Sequence, residues 1–340
     1  MQWNYFIQIV EYMDDKSQIK IFAGSSSIDF VRKICQYLDI VPGKSETFHF
    51  QEGNIYVKIQ ENVREKDVYF VQTIGIDAND SFVELLFWID AFKRSSANSV
   101  TVIIPYFSYA KADKKDEPRV SIRARVCADC IEAAGADRVI MIDLHSPQIQ
   151  GFFKKPVDNL YAYPLLCGYI KSLAIPDLVI VSPDIGFAKN ARKYASYLNV
   201  PTVICDKERK DHSEKAEVIE MFGDVRNKNA LIVDDFTLTC GTLIDAARVL
   251  KMKGANNVYA MVTHSLLNEK GLKELERSHI TKLITTDTVS NPAVHLSKKI
   301  KIISVAPLFA EAVKIIQNKE SLSSLFEHLP EELIKSCLEI

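Results

Sequence analysis

An unbroken apolar run that ends on two carboxylates and passes at once into a small-residue turn restricts this chain more than any other feature. The segment is Leu231–Thr242, LIVDDFTLTCGT. Apolar residues without alternation read as a strand buried on both faces, the condition of a parallel sheet. Asp234 and Asp235 then fall where the strand ends, at the ligand-binding edge of an open α/β sheet. Thr239, Cys240, Gly241 and Thr242 form the turn, and a helix is expected from Leu243 to Lys253. Small residues at such a corner let backbone N–H groups and hydroxyls close on a phosphate at the helix N-terminus. Two carboxylates beside that cradle suit the hydroxyls of a sugar phosphate, or Mg2+. They also suit a plain strand–turn–helix corner capped by Thr, so the motif alone does not decide.

Apolar runs alternate with amphipathic segments along most of the chain. The runs are Lys20–Ala23, Val68–Gln72, Val100–Pro105, Val139–Leu144, Leu178–Ser182, Thr202–Cys205, Leu231–Asp234, Val258–Thr263, Leu283–Thr286 and Ile302–Val305. Between them lie helical patterns such as Ser81–Arg94, Ile122–Ala134, Ala188–Leu198 and Leu243–Gly254. That alternation predicts an α/β fold with parallel sheets. A chain of 340 residues accommodates two domains. No Gly/Ser- or Pro-rich linker marks the division, which we place at Asn159, after the pair Phe152-Phe153. The expected organisation is 1–158, 159–320 and a helical tail over 321–340; the two halves share an outline that suggests duplication.

Charged residues make up 25% of the chain, yet the net charge is only −2, so no bulk field draws it to nucleic acid or to a membrane surface. Any phosphate binding must therefore be local. No apolar run approaches the length of a membrane span. The N-terminal stretch MQWNYFIQIVEYMDD lacks a basic region and turns acidic, unlike a secretory signal. The seven cysteines are scattered and odd in number, as expected of reduced thiols in a cytoplasm. Cys127 and Cys130 form a CxxC inside a helical pattern with no second pair or His nearby, which favours packing over metal or redox chemistry.

Four further segments carry candidate chemistry. Met141–His145 reads as a buried strand ending on Asp143 and His145, which suit Mg2+ with its waters, although His145 alone equally suits a structural hydrogen bond. The stretch 178–189, LVIVSPDIGFAK, repeats the first corner: a carboxylate at a strand end (Asp184), a small-residue turn, then a helix. Two such corners point to one site holding two anionic groups. The segment 109–119 is charged, contains Pro118 and sits between a strand and a helix; it suits either a solvated loop or a mobile, Lys-rich cover for a nucleoside triphosphate. The polar stretch 205–212 follows a short strand. Lys207 and Arg209 would project to one side if the strand continued, two cations suited to charge developing at a transferring phosphorus.

In order and spacing these segments resemble the ribose-phosphate pyrophosphokinase (phosphoribosyl-diphosphate synthetase) family, from Ile19 to Glu327. The stretches that carry the resemblance are IKIFAGSSS, ENVREKDVYFVQ, DAFKRSSA, IPYFSYAKADKKD, AAGADRVIMIDLHSPQIQGFF, VDNLYAYP, VSPDIGFAK, DKERK and VDDFTLTCGTL. The resemblance implies two phosphoribosyltransferase-type α/β domains, mainly parallel sheets flanked by helices, with the active site between them. It implies Mg2+-dependent transfer of a pyrophosphoryl group from ATP to ribose 5-phosphate, giving PRPP and AMP for nucleotide biosynthesis. It further implies a cytoplasmic homo-oligomer, a dimer or an assembly of dimers. By resemblance Asp234, Asp235, Thr239, Cys240, Gly241 and Thr242 form the ribose 5-phosphate loop. Asp184, Ile185, Gly186, Phe187 and Ala188 form the pyrophosphate loop, and His145 and Asp184 serve the metal. Lys207 and Arg209 are the catalytic pair. Lys111, Lys114, Asp116 and His145 hold ATP, together with Phe50, Glu52 and Asn54 on a loop that in the family reaches in from a neighbouring subunit.

The chain departs from the family pattern at ligand positions. Leu238 stands where a third Asp is usual, Lys111 where an Arg is usual and Ala112 where a Gln is usual. Asn54 replaces a Glu, and Glu52 replaces a small or amidic residue. Two readings stay open on sequence: a divergent active enzyme, or a weak paralog that regulates or scaffolds an active synthetase. Retention of Lys207, Arg209, His145, Asp184 and the Asp234–Asp235 pair favours the enzyme. A transferase that consumes PRPP would share the ribose loop but has no ATP to hold, so segment 109–119 and the Asp143–His145 strand weigh against it.

Overall fold

The computed structural model describes residues 18–208, 218–326 and 329–339. The chain divides into two compact units, one formed by residues 1–160 with 309–320 and the other by 161–308 with 321–340. The segment 309–320 thus packs with the first unit, where the sequence reading had drawn contiguous ranges divided at Asn159. No helix among the described residues is long and apolar enough to cross a membrane.

In the first unit, β1 (Ile19–Ala23) leads through a Gly-Ser-Ser-Ser loop into α1 (Ile28–Leu38). A hairpin of β2 (Ser45–His49) and β3 (Ile55–Ile59) follows, and then β4 (Asp67–Val71) and α2 (Ala78–Arg94). After β5 (Ser99–Ile104) come α3 (Arg123–Ala134), β6 (Arg138–Ile142) and β7 (Val157–Leu160). Strands β1, β4, β5, β6 and β7 pair in that order, every pair parallel. The strand SVTVII of β5 is buried almost throughout, as unalternated apolar runs require. Helix α2 turns Leu85, Trp88, Ile89 and Phe92 toward the sheet at helical spacing. Trp88 and Phe92 stack at 5.3 Å and meet Phe70 and Phe22, forming the aromatic centre of this core. Parallel sheets aim all their strand C-termini at one edge, so the loop 24–27, the segment 105–122 and Asp143–His145 share that edge.

The second unit opens with α4 (Tyr163–Ser172), β8 (Leu178–Ser182), α5 (Ala188–Leu198), β9 (Thr202–Glu208) and β10 (Val218–Phe222). It continues through β11 (Asn229–Thr237), α6 (Gly241–Met252), β12 (Val258–Ser265), α7 (Glu269–Arg277), β13 (Ile280–Thr286) and β14 (Ile300–Ile303). Helix α8 (Ala306–Gln317) carries the chain back to the first unit, and α9 (Glu331–Glu339) packs on α4, where Ile334 lies over Gly168. The sheet order is β10-β9-β8-β11-β12-β13-β14, parallel except for the antiparallel edge strand β10. Ala246 and Ala247 on α6 have short side chains that let the helix lie close over Ile232 and Val262. The α/β class and the mainly parallel sheets read from the sequence are those found.

Candidate functional site

The second sheet has a topological switch point. From β8 the chain adds β9 to one side, whereas β11 lies on the other side and the later strands continue outward from it. Helices that leave neighbouring strands in opposite directions open a crevice at the strand C-termini, where α/β sheets bind ligands. The loops at that point are 183–187 after β8 and 238–240 after β11, the two acid-then-turn corners of the sequence.

Asp184 accepts a hydrogen bond from Phe187 N at 2.9 Å through Oδ1, while Ser182 Oγ donates to its carbonyl at 2.7 Å. The turn is thereby folded by its own acid, with Ile185 exposed and Gly186 at the rim, and α5 begins at Ala188. On the neighbouring strand, Asp234 Oδ1 accepts from Asp235 N at 3.0 Å and Asp235 Oδ1 from Phe236 N at 2.9 Å. Burial, then the charge of Asp235 and that of Asp184, push the Asp234 carboxyl above the usual carboxylate range. Asp235 and Asp184 are thus close enough to oppose the ionisation of Asp234, an arrangement that suits a cation or sugar hydroxyls. Among the described residues no three His, Cys, Asp or Glu side chains form a metal cage. A hard divalent cation such as Mg2+ needs no such cage, because it keeps most of its waters and binds through one or two carboxylates and substrate phosphates.

The β11 strand runs to Thr237, three residues beyond the apolar run, and the turn follows. Cys240 takes a left-handed conformation (φ 59°), is buried, and donates from its N to Thr237 Oγ1 at 3.0 Å. Gly241 N reaches Thr239 Oγ1 at 3.4 Å as α6 begins. Thr239 is exposed and Thr242 half-buried at the mouth of this turn. Lys207 lies in β9, paired with Ile219 of β10; Arg209 lies outside the described residues.

In the first unit, Lys111 ends a 3-10 turn and is exposed, as are Lys114 and Asp116. Ala112 beside them is buried, with its carbonyl accepting from Ala124 N, so it anchors the segment to α3. His145 is exposed just past β6, after Asp143 in a left-handed conformation (φ 43°). Phe50, Glu52 and Asn54 form the tip of the β2–β3 hairpin, closed by Phe50 N donating to Asn54 O at 2.8 Å. Phe48, Phe50 and Tyr56 cluster there with ring centroids 4.7–6.0 Å apart.

The residues that brace the turn after β11 carry no motif in the sequence. Leu266 N donates to Thr237 O at 2.9 Å, and Asn268 Oδ1 caps α7 by accepting from Gly271 N at 2.8 Å. A Cβ on Gly271 would lie 2.9 Å from Thr239 Cα, so the helix can approach the loop this closely only with glycine there. A local sign is present as an Asn followed by Gly three residues on, but only the fold shows what that helix end faces.

Comparison with known proteins gives a consistent result. A family model for the N-terminal domain of ribose phosphate pyrophosphokinase matches residues 19–135. A second, the phosphoribosyl synthetase-associated domain, matches residues 210–327. A ribose-phosphate pyrophosphokinase from Campylobacter jejuni is 44% identical over 307 residues, covering 90% of this chain and 98% of that protein. One from Synechocystis is 40% identical over 315 residues, covering 92% of this chain and 94% of that protein. The crystal structure of phosphoribosylpyrophosphate synthetase from Mycobacterium smegmatis superposes with a TM-score of 0.83 at 34% identity, over 89% of this chain and 99% of that one.

Proposed function

The chain belongs to the ribose-phosphate pyrophosphokinase family, and on that premise we propose that it makes PRPP and AMP from ribose 5-phosphate and ATP. The observation that carries the reading is the switch point of the second sheet, where Asp184, Asp234 and Asp235 share one crevice between two small-residue turns. In the reaction the anomeric hydroxyl oxygen attacks the β-phosphorus of ATP, the bond from that phosphorus to the α-phosphate oxygen breaks, and AMP leaves. The hydroxyl proton passes to solvent. Little covalent work falls to the protein, so its residues act by placing the two substrates in line and by countering charge.

Asp234 and Asp235 accept from the ribose hydroxyls, which supports the ionised form that burial and then the neighbouring charges of Asp235 and Asp184 disfavour at Asp234. Thr239 to Thr242 hold the 5-phosphate with hydroxyls and backbone N–H groups at the start of α6. Asp184 to Ala188 receive the pyrophosphate at the start of α5. Lys207 and Arg209 stabilise charge that develops at the transferring phosphorus. Lys111, Lys114, Asp116 and His145 contact ATP, and the hairpin residues Phe50, Glu52 and Asn54 contact its base. His145 and Asp184 would hold Mg2+, which when bound neutralises the triphosphate and polarises the reacting phosphorus. The protein works as a homo-oligomer in the cytoplasm, a compartment that the seven unpaired thiols suit.

The test is AMP formation from ATP and ribose 5-phosphate with Mg2+, with and without inorganic phosphate. Wild-type protein should form AMP only when ribose 5-phosphate is present. Lys207→Ala should turn over at least about a hundredfold more slowly, the scale of losing one charge-stabilising group, at an unchanged melting temperature. Absence of AMP from folded wild type, or full activity in the variant, overturns the corresponding assignment.

A further inference from the structure

We propose that Glu84 is a positioning residue for the nucleotide: its buried carboxylate ties the β2–β3 hairpin to the C-terminal edge of the five-stranded sheet. The inference rests on the reading above that this hairpin contacts the ATP base. Glu84 lies in α2, only 2% exposed, and five donors converge on it. Its Oε1 accepts from Ser25 N at 3.0 Å, Thr47 Oγ1 at 3.1 Å and Trp88 Nε1 at 3.3 Å. Its Oε2 accepts from Ser25 Oγ at 2.5 Å and from Gln72 Nε2 at 2.8 Å. These donors come from the loop after β1, from strand β2, from the end of β4 and from α2 itself. None of the five is a cation.

Packing alone asks for a Leu or Met beside Leu85 and Trp88, since a buried carboxylate is costly unless donors fully surround it. An ionised carboxylate is also the one side chain that accepts from many directions and donates in none, so it can gather separate elements around one point. Thr47 is the hairpin's share of that point. Its hydroxyl donates to Glu84 and accepts from Trp88 Nε1 at 3.3 Å, which leaves the rotor no freedom. Three residues along, Phe50 opens the hairpin tip. Ser25, the donor on the opposite side, is exposed at the strand C-termini, so the same carboxylate couples that edge to the tip. Gln at position 84 would keep the shape but offer a single acceptor oxygen and turn an N–H group toward existing donors.

The experiment compares Glu84→Gln and the near-isosteric Thr47→Val with wild type by initial-rate kinetics and by amide hydrogen exchange. In Glu84→Gln the KM for ATP should rise about tenfold, as expected for loss of a charge-assisted hydrogen bond, while the KM for ribose 5-phosphate stays within about twofold. Amides of 45–59 and 24–27 should exchange faster. Thr47→Val should show the same split of KM values with faster exchange in 45–59 alone, at a melting temperature close to wild type. Equal rises in both KM values for Thr47→Val, or hairpin exchange in Glu84→Gln no faster than wild type, overturns the inference. If wild type consumes no ATP, the functional reading fails, and the exchange result still decides whether Glu84 holds the hairpin.

Discussion

Thr239 marks how closely the turn between β11 and α6 is fitted at the level of single atoms. Its Cα has α7 against it at a distance that excludes any side chain on Gly271. Gly271→Val should therefore push the loop out of register, with overpacking costing about 1–3 kcal/mol and the KM for ribose 5-phosphate rising about tenfold or more. Steady-state kinetics on both substrates would check this; an equal effect on the KM for ATP would mean the damage is general. Asp184, Asp234 and Asp235 were legible as candidate site residues because an acid at a strand end followed by a small-residue turn is a local pattern. Gly271 was not, because its constraint comes from a neighbour more than thirty positions away that only the sheet order brings alongside.

Among whole elements, the longest apolar runs all emerged as central strands, while the β2–β3 hairpin went unread. Its strands SETFH and IYVKI lack a clean alternation of polar and apolar residues, none of their residues is fully buried, and Val57 and Ile59 are the apolar side chains that pack against the core beneath. Such short, half-exposed strands differ little in pattern from loops, and their stability comes from the helix they lie on. Helix α8 shows a second decision made between elements. Gln317 at its end donates to Asp67 Oδ2 at 3.2 Å, while Asn98 Nδ2 and Ser99 Oγ donate to Oδ1 at 2.7 and 2.6 Å. Burial pushes the Asp67 carboxyl up, but these donors and the charge of Lys319 outweigh it and hold the group below the usual carboxylate range. The ionised form thus stabilises the fold above about pH 4, and that contribution is lost as the pH falls through the lowered native value. Asp67→Asn should cost about 1–2 kcal/mol at neutral pH and flatten the acid limb of the stability curve. Denaturant melts between about pH 2 and 7 would test it; parallel curves for the two proteins would refute it.

For the molecule as a whole, the thiols report where the cores lie. Burial pushes Cys35, Cys127 and Cys337 up to about 12 and Cys205 and Cys240 up to about 11, and raises Cys167 further. Cys130 alone is half-buried. Native protein treated with a thiol reagent at pH 7 should label Cys130 first and the other six only on unfolding, which mass mapping would show; early labelling of Cys167 would contradict the packing of α4. By itself, the sequence determined the α/β class, the parallel character of the sheets and the two strand–turn–helix corners after β8 and β11. Each of these follows from local periodicity and from residue types that only certain backbone corners accept. Only the tertiary structure decided the switch point between β8 and β11, the return of 309–320 to the first unit and the gathering of Ser25, Thr47 and Gln72 around Glu84. Strand order and long-range hydrogen bonding arise when elements distant in sequence compete to bury their apolar faces, and no local pattern encodes the outcome of that competition.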